Sequence, residues 1–209
     1  MLIRKPILNK SNLREAAVIE SLVQDFDRVV INSGSFDGAE VDEIKITESL
    51  VSNLSFQSSI VKEIKIADSV IELVNFAGAT FEHTYFERIE ISKSRLQGTQ
   101  LMECIIRDVV IEKSKCNDVS FRFSKIKNMV FIDCEINNAD FQGASLENVI
   151  FKNCSLKNSQ FSQTKLKNVS FKGAVIDGIV INKESLGSIT VNTGQAIYLA
   201  SGLGLNIED

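Results

Sequence analysis

The sequence predicts an all-β fold, a quadrilateral β-helix of about nine coils that is closed by a short C-terminal helix. Three observations support this prediction. A large apolar residue recurs at every fifth position from Ile31 to Val191, and Cys116 is the one departure from Ile, Val, Leu or Phe. A small or β-branched residue stands two positions before most of these large residues. Asp, Asn or Gly occupies the second position after the large residue at 12 of the 16 places from Asp108 to Lys183.

A period of five residues fits neither the 3.6-residue period of a helix nor the alternation of an ordinary strand. It requires a backbone that turns a corner after every five residues, with two side chains inward and three outward. Four such sides make one coil, so stacked positions lie twenty residues apart, as in a solenoid built from internal repeats. Asn, Asp and Gly suit the corners because they tolerate left-handed backbone. At ~4.8 Å per coil, nine coils give a rod roughly 43 Å long with a filled interior.

The spacing of twenty also predicts which side chains stack inside the rod. Eleven of the 13 phenylalanines fall on the inward large position, which indicates a core rather than a cofactor or base-stacking site. Asn128, Asn148 and Asn168 share one corner and are expected to share amide hydrogen bonds. The predicted internal ladders are Ile111, Phe131, Phe151 and Phe171; Phe121, Phe141 and Phe161; and Ile126, Leu146, Leu166 and Leu186.

The N-terminal part follows the same pattern with one irregularity. Residues 1–10 are predicted as an N-terminal cap or edge strand, and residues 11–192 as the β-helix. The segment 11–25 reads in fives, although its good helix formers leave an amphipathic helix as the alternative. The phase slips at residues 26–28, where three residues stand in place of five, which predicts a bulge or short loop. In this interpretation the large position falls on Leu13, Val18 and Val23, and the small position on Ser11, Ala16 and Ser21.

The repeat ends after Val191, and residues 193–209 are predicted to form a C-terminal helix and tail. Asn192 or Thr193 can cap the helix, and Gly202 and Gly204 end it. A helix laid over the last coil would cover an open sheet edge that otherwise recruits other strands. One face of this helix carries Ala196, Leu199, Ala200 and Leu203 at the spacing i, i+3, i+4, i+7.

The composition predicts a cytoplasmic protein without a membrane span. The formal net charge is −4, and neither a run of 18 apolar residues nor a secretory signal is present in the sequence. No catalytic residue, metal ligand set or cofactor is predicted, because the chain has no Gly-rich phosphate loop, nucleophile elbow or zinc spacing. His83 is the only histidine and falls at an outward corner, so an isolated surface histidine is expected.

The four cysteines occupy inward positions of the repeat. Cys104, Cys134 and Cys154 take the small position and Cys116 takes the large one. This arrangement predicts buried, reduced thiols that pack as small hydrophobic groups. A disulfide between Cys134 and Cys154, which are twenty residues apart, is geometrically conceivable.

The repeat units resemble the pentapeptide-repeat family, whose consensus is Ala-Asp/Asn-Leu-x-x. The units ADFQG at 139–143, ASLEN at 144–148 and SNLRE at 11–15 carry this resemblance, which extends over residues 11–193. It implies that the quadrilateral β-helix is right-handed.

The C-terminal tail is similar to that of the quinolone-resistance subgroup of this family. In that subgroup the C-terminal helix forms a homodimer, and the rod imitates duplex DNA and binds DNA gyrase or topoisomerase IV. The similarity lies in Gln195-Ala196, Leu199 and the segment 203–207. It implies a homodimer interface made by Ala196, Ile197, Leu199, Ala200, Leu203, Leu205 and Ile207.

The charges are divided unevenly along the chain. Residues 15–48 contain nine acidic and two basic residues, a net charge of −7, whereas residues 151–183 contain six lysines and one aspartate, a net charge of +5. A DNA mimic requires a negative surface, and a solvated outer face is the competing interpretation. The candidate acidic contact patch is Asp37, Glu40, Asp42, Glu43 and Glu48.

The sequence therefore favours a non-enzymatic, rod-shaped interaction or scaffold protein that forms a homodimer and binds an unidentified protein. The alternative is a DNA-mimicking modulator of DNA gyrase or topoisomerase IV. Neither hypothesis involves direct binding to nucleic acid or to a membrane.

Overall fold

The computed structural model describes residues 3–18 and 23–207 and confirms the predicted all-β solenoid with one short C-terminal helix. Short 3-10 helices span Lys10–Asn12 and Lys183–Ser188, and α1 spans Thr193–Gly202. No helix among the described residues combines the length and apolar character needed to cross a membrane. The strands are β1 (Arg14–Glu15), β2 (Val23–Asp27), β3 (Val29–Ile31), β4 (Gly34–Ser35), β5 (Glu40–Thr47), β6 (Leu50–Ser52), β7 (Leu54–Ser55), β8 (Ile60–Glu72), β9 (Thr80–Phe81), β10 (Thr84–Ser92), β11 (Ile105–Glu112), β12 (Lys125–Ile132), β13 (Ser145–Lys152), β14 (Gln160–Phe161), β15 (Lys165–Ser170), β16 (Val180–Ile181) and β17 (Ile189–Thr190).

From β2 onward, consecutive coils are joined by parallel strand pairing with a constant offset of twenty residues. The longest ladder runs through β8, β10, β11, β12, β13, β15 and β17. Within it Ile91 lies opposite Ile111, Ile111 opposite Phe131, and Phe131 opposite Phe151. Bridges outside the named strands keep the same offset, as in Arg95 opposite Lys115 on another side. The offset therefore holds around the whole coil, as the predicted square coil requires.

Left-handed backbone recurs at every fifth residue from Asp68 to Gly178. These are the predicted corners, and they adopt positive φ even where the residue is Leu73, Lys113 or Phe123. An L residue with a Cβ is disfavoured in this region; Gly avoids this steric cost, and Asn and Asp offset it through local hydrogen bonds of their short polar side chains. The prediction for the corner position is confirmed.

The core is a column of stacked inward side chains. Every large position from Ile31 to Ile176 is buried, which confirms the predicted register. Phe131, Phe151 and Phe171 stack with centroids 5.2 and 5.3 Å apart. The second phenylalanine ladder, Phe121, Phe141 and Phe161, stacks at 5.2 and 4.7 Å. In the third predicted ladder Ile126, Leu146 and Leu166 are buried, and Leu186 is half-buried in the second 3-10 helix.

The four cysteines are buried and free, which confirms the predicted reduced thiols and excludes the Cys134–Cys154 disulfide in this structure. Burial raises the pKa of Cys104 to about 11. This thiol is therefore protonated at neutral pH and acts as a small core side chain.

The rod has about eight turns, slightly fewer than the predicted nine. At ~4.8 Å per turn its length is roughly 38 Å. The ends explain the difference. Arg14 lies opposite Val29, an offset of fifteen rather than twenty, so the first turn is short. At the other end, the 3-10 helix Lys183–Ser188 replaces part of the last coil.

The predicted slip at residues 26–28 is wrong. Phe26 lies opposite Ile46 at the regular offset of twenty, and Arg28 is an ordinary corner with φ of 52°. Val23, predicted to point inward, is 54% exposed, whereas Phe26 is buried. Burying the larger phenylalanine removes more apolar surface from water, so its register is favoured.

Residues 19–22 lie outside the described part of the chain. Ser21, predicted at a small position, lies there too. Residues 11 and 12 end the first 3-10 helix, and the chain is extended from residue 13 to residue 18. The alternative of an amphipathic helix is therefore wrong. Ala16 and Val18 are partly buried against the core.

Candidate interaction surfaces

The outer surface carries columns of residues that lie twenty apart. One of them, here called the apolar column, consists of outward residues that each precede an inward large residue on the main ladder. Glu90 interrupts the column, and all its members are half-buried. Sequence analysis missed this column because it treated outward positions as generally polar. In order along the rod, the apolar column is Val30, Leu50, Val70, Glu90, Val110, Val130 and Ile150.

The neighbouring corner carries a ladder of amides and carboxylates. Asn148 Nδ2 donates to Asn128 Oδ1 at 2.9 Å, and Asn168 Nδ2 donates to Asn148 Oδ1 at 3.1 Å. Asn128 Nδ2 in turn donates to Asp108 Oδ1 at 3.0 Å. The amide hydrogen bonds predicted for the three asparagines are thus confirmed, and the ladder ends on a buried carboxylate.

The N-terminal residues lie along this same corner. Arg4 Nε donates to Asp108 Oδ2 at 2.9 Å, and its guanidinium also lies 3.4 Å from Glu87. The backbone N–H of Ile7 donates to Asp68 Oδ1 at 3.0 Å. Asp68 also receives two hydrogen bonds from Arg88, at 2.7 and 2.6 Å. The first described residues therefore span the coils of Asp68 and Asp108.

The carboxylate of Asp108 is expected to make the free energy of unfolding depend on pH. Burial alone would raise the pKa of Asp108, but hydrogen bonds from Arg4 and Asn128 outweigh burial and hold the pKa below its ordinary value. A depressed carboxylate pKa contributes stability above the unfolded-state pKa of about 3.9, and this contribution is lost as the pH falls through the folded-state pKa.

We expect the free energy of unfolding to fall below about pH 4 and the fall to be shallower in Asp108→Asn. Asparagine fits this corner, as Asn128 shows, but it has no charge to lose. Urea unfolding followed by circular dichroism between pH 7 and pH 3 measures the effect. Asp177→Asn, at an exposed position, is the control and should keep the wild-type profile. An identical profile for Asp108→Asn and wild type would contradict the prediction.

The structure separates the predicted acidic contact patch. Glu40, Asp42 and Glu43 flank Val41 on one side of the coil, where Lys62 Nζ pairs with Asp42 at 2.6 Å. The other two predicted residues lie elsewhere. Asp37 belongs to the preceding side and accepts hydrogen bonds from Ser55 Oγ and, at 2.8 Å, from the backbone N–H of Gln57. Glu48 occupies the corner with φ of 47°, twenty residues before Asp68.

Acidic residues predominate on one side of the rod, and basic residues predominate on the adjacent side. The acidic side, defined by the outward residues around Val41, Val61, Phe81 and Leu101, carries Glu40, Asp42, Glu43, Glu63, Glu82 and Glu103. The adjacent basic side carries Lys45, Lys65, Arg107, Lys125, Lys127, Lys165 and Lys167, and Glu87 and Glu147 lie among them. On the basic side Glu147 is bound by Lys127 and Lys167 at 3.3 and 3.0 Å.

The C-terminal helix α1 covers the end of the rod. Asn192 accepts from the backbone N–H of Gln195, and Gln195 Oε1 accepts from the backbone N–H of Asn192. The buried Gln195 Nε2 donates to the carbonyls of Phe171 and Ala174, both at 2.7 Å. Sequence analysis missed this role of Gln195, for which no periodic signal exists.

The seven residues predicted for the dimer interface fall into two groups. Leu199 and Ala200 are half-buried, and Leu199 packs on the core. The others are exposed, and their large members project from the end of the rod. The exposed members are Ala196, Ile197, Leu203, Leu205 and Ile207.

No group of His, Cys, Asp or Glu in the described part of the chain could hold a metal ion. His83 is exposed at a corner, as predicted.

Comparison with known proteins gives family matches along more than half of the chain. A profile described as pentapeptide repeat region matches residues 93–161 and 114–181. A second, described as pentapeptide repeats (8 copies), matches residues 72–108. No curated protein sequence matches the chain.

Similar folds are found among solved structures. One is a trypsin-treated variant of QnrB1, a plasmid-mediated fluoroquinolone resistance protein, with 13% identity, coverage of 90% of this chain and 99% of that chain, and a TM-score of 0.44. Another is HetL, a pentapeptide repeat protein involved in heterocyst differentiation regulation from the cyanobacterium Nostoc sp. strain PCC 7120, with 13% identity, coverage of 76% and 86%, and a TM-score of 0.39. With its repeat matches and its twenty-residue ladder, this chain belongs to the pentapeptide-repeat family.

Proposed function

We propose that this protein is a non-enzymatic, rod-shaped scaffold that binds a protein partner through its outer columns. The observation that carries the proposal is the apolar column, which aligns six apolar residues on the outside of the main ladder. Apolar surface patches, here two runs of three residues on either side of Glu90, mark interaction sites on soluble proteins. The ladder fixes the spacing of these side chains before binding, so little conformational entropy is lost when a partner covers them.

The interior supports a binding role rather than catalysis. Inward positions are filled by side chains from Ile31 to Ile176, so no substrate cavity can lie on the axis. Catalytic sites are normally concave and hold a few converging polar groups. The most buried carboxylate of the described residues, Asp108, accepts hydrogen bonds from the protein's own Arg4 and Asn128.

Substitution within the apolar column tests the scaffold proposal. Val110→Lys places a charge in the middle of the column, whereas Gln97→Lys adds the same charge on another side of the rod. Partners captured from the native host by wild-type protein would be purified and tested for binding to each variant. We expect Val110→Lys to abolish binding and Gln97→Lys to retain it. Equal binding by the two variants, or no partner for wild type, would overturn the proposal.

The proposal includes a homodimer formed through the C-terminal helix. The exposed Ile197, Leu203, Leu205 and Ile207 support it, because an isolated rod would leave this apolar end in water. A dimer that pairs two such ends would bury these side chains.

Leu203→Asp is expected to convert the dimer into a monomer, because it would bury an unpaired charge at the interface. Size-exclusion chromatography with light scattering measures the mass. Leu73→Asp is the matched control, since Leu73 is similarly exposed, at 49% against 48% for Leu203, but lies at a distant corner. A monomeric wild-type protein would mean that α1 only covers the end of the rod.

A DNA-mimicking modulator of DNA gyrase or topoisomerase IV is the second candidate. The acidic side favours it, since Glu43 is followed in the next coil by Glu63 at the aligned position. Lys62 partly offsets this charge through Asp42. A supercoiling assay with purified gyrase, and a decatenation assay with topoisomerase IV, test this candidate. Absence of inhibition and of protection from quinolones at micromolar protein would exclude it and leave the scaffold proposal intact.

A further inference from the structure

The N-terminal residues 3–9, here called the strap, lie across several coils on the outside of the rod. Arg4 bonds to the corner residue Asp108, and Ile7 bonds to the corner residue Asp68. These two corners are two coils apart, which is about 9.6 Å at ~4.8 Å per coil. Three residues of fully extended chain span about 10 Å. The strap is therefore extended between Arg4 and Ile7 and follows the axis of the rod.

The strap is held by one charged side chain and by backbone N–H groups. Arg4 Nε and Nη2 donate to Asp108 Oδ2 at 2.9 and 2.5 Å, and the backbone N–H of Arg4 donates to Asp108 Oδ1 at 3.3 Å. The backbone N–H of Ile7 donates to Asp68 Oδ1, while the Ile7 side chain is 69% exposed. Pro6 has no N–H to donate. Apart from the guanidinium, these contacts depend on an extended backbone rather than on particular side chains.

The rod supplies a fixed site for the guanidinium, here called the arginine seat and formed by Asp108 and Glu87. The Arg4 guanidinium lies 3.4 Å from Glu87 as well as on Asp108. Glu87 is held in place by the Tyr85 hydroxyl, which donates to it at 2.7 Å, and by Arg88 at 2.6 Å. With the strap in place the Asp108 side chain is 1% exposed, whereas the Arg4 side chain is 57% exposed. A fixed seat is thus filled by an exposed residue near the chain terminus.

The pairing of the carboxylates shows that the seat requires a cation from outside the rod. Asp68 and Glu87 both pair with Arg88 of the rod itself. Among the described residues, Arg4 alone forms an ion pair with Asp108. A buried carboxylate without a cation is unfavourable. A guanidinium suits the seat better than an ammonium group, because one planar group places two N–H donors on Asp108 and also reaches Glu87.

The strap lies beside the apolar column. Val110 of the column follows Asp108 by two residues, and Val70 follows Asp68 by two residues. A partner that covers the column at these positions therefore meets the strap at Arg4. The exposed hydrogen bonds of Arg4 are open to competition from water. Because the strap is tethered, it nevertheless competes at an effective concentration of roughly millimolar. A partner with its own arginine can replace it.

We propose that the strap is an exchangeable occupant of a peptide-binding site, and that the protein partner places the arginine of an extended segment in the arginine seat. Three residues after this arginine, a backbone N–H of the segment bonds to Asp68. The strap is then an intramolecular competitor that the partner displaces. This inference rests on the proposed scaffold function and names the chemistry of the partner segment, an arginine followed three positions later by a residue other than proline.

The test uses an acetylated, amidated and fluorescein-labelled peptide, IRKPIL, which has the sequence of residues 3–8. Arg4→Ala and Asp108→Asn both remove the ion pair that holds the strap, but only Arg4→Ala leaves the seat intact. Fluorescence polarisation with the full-length protein is expected to show IRKPIL binding to Arg4→Ala at least tenfold more tightly than to wild type or to Asp108→Asn. Lys5→Ala is the matched control, since it removes the neighbouring exposed cation of the strap, and should bind as weakly as wild type.

Two further peptides test the chemistry of the segment. IKKPIL keeps the charge without the guanidinium and should bind Arg4→Ala at least tenfold more weakly than IRKPIL. IRKPPL has no N–H at the position of Ile7 and should bind severalfold more weakly. Equal binding of the three peptides to Arg4→Ala, or equal binding of IRKPIL to Arg4→Ala and Asp108→Asn, would overturn the inference.

Thermal unfolding separates an exchangeable strap from a structural one. Arg4→Ala is expected to keep the wild-type circular dichroism spectrum and to unfold close to the wild-type temperature, because the core lies within the coils. Loss of the fold in this variant would assign the strap to the structure and overturn the inference. Arg4→Lys, which keeps the charge, is the second variant and should bind IRKPIL more tightly than wild type does.

Binding of the partner captured by wild-type protein distinguishes this inference from the scaffold proposal. Arg4→Ala should bind that partner at least threefold more tightly than wild type, and Asp108→Asn at least threefold more weakly. A strap with a purely structural role would not give these opposite changes. Loss of partner binding in Val110→Lys, with unchanged binding in Arg4→Ala and Asp108→Asn, would leave the scaffold function standing and refute this site alone.

Discussion

Phe151→Ala is expected to lower the free energy of unfolding by about 3–5 kcal/mol. Phe151 is fully buried, and its ring stacks between Phe131 and Phe171 at 5.2 and 5.3 Å. Phe141 and Phe161 meet it edge-on at 6.0 and 6.2 Å. The coils above and below are fixed by strand hydrogen bonds, so the cavity left by the ring cannot collapse. The loss should therefore lie toward the upper part of the usual range for a buried phenylalanine.

Urea unfolding followed by far-UV circular dichroism measures this effect. Phe151→Leu keeps most of the buried volume and should cost less than about 1.5 kcal/mol. Each coil contacts only its neighbours, so a lesion in the middle of the rod can divide one unfolding transition into two. A loss below about 1 kcal/mol for Phe151→Ala would show that the phenylalanine column is not close-packed.

The core and the corners could be predicted from the sequence because each depends on residues only five or twenty positions apart. Phe151 could be placed inside the rod because only one assignment of inward positions fits the five-residue period in the central coils. The left-handed corner at Asn148 follows from the residue types that tolerate it. In such a repeat, local preference and tertiary packing agree, which is the condition under which sequence patterns specify structure.

The first coils could not be predicted in the same way because two registers were locally acceptable. Val23 and Phe26 each offer an apolar side chain to the core. Pairing with the next coil decides between them, since Phe26 then faces Ile46 while Val23 faces Glu43. This choice depends on residues of another coil, which the five-residue pattern of the segment 11–25 does not contain.

The surfaces were harder to predict than the core. Residues that are neighbours on the surface come from successive coils, twenty positions apart, and not from one continuous segment of the chain. Asp37 and Glu48 lie near Asp42 in sequence, but the corners of the coil direct them to different sides. The apolar column was available from the sequence by aligning Val110 with Val130, twenty residues apart. The contact of Arg4 with Asp108 spans 104 residues and breaks the periodicity, so no pattern in the sequence indicates it.

Gln195→Ala is expected to lower the free energy of unfolding by about 2–4 kcal/mol. The Ala174 carbonyl loses its donor, the Phe171 carbonyl keeps only the backbone N–H of Ala174, and the helix loses its cap. Gln195 Nε2 is the donor to the carbonyls of Phe171 and Ala174 at the end of the rod, and Gln195 Oε1 accepts from the backbone N–H of Asn192. Chemical unfolding of wild type and variant, at a protein concentration where the oligomeric state is the same, measures the difference.

Asn192→Ala is the control because it removes the cap at the start of α1 but leaves both Nε2 hydrogen bonds in place. Its expected cost is about 1 kcal/mol. Gln195→Glu replaces the donor with a carboxylate that faces two carbonyl oxygens, so it should destabilise the protein at neutral pH at least as much as Gln195→Ala. Equal losses for Gln195→Ala and Asn192→Ala would mean that water satisfies the two carbonyls. A larger loss for Gln195→Ala would show that the helix stabilises the open end by supplying a side-chain donor where the next coil is missing.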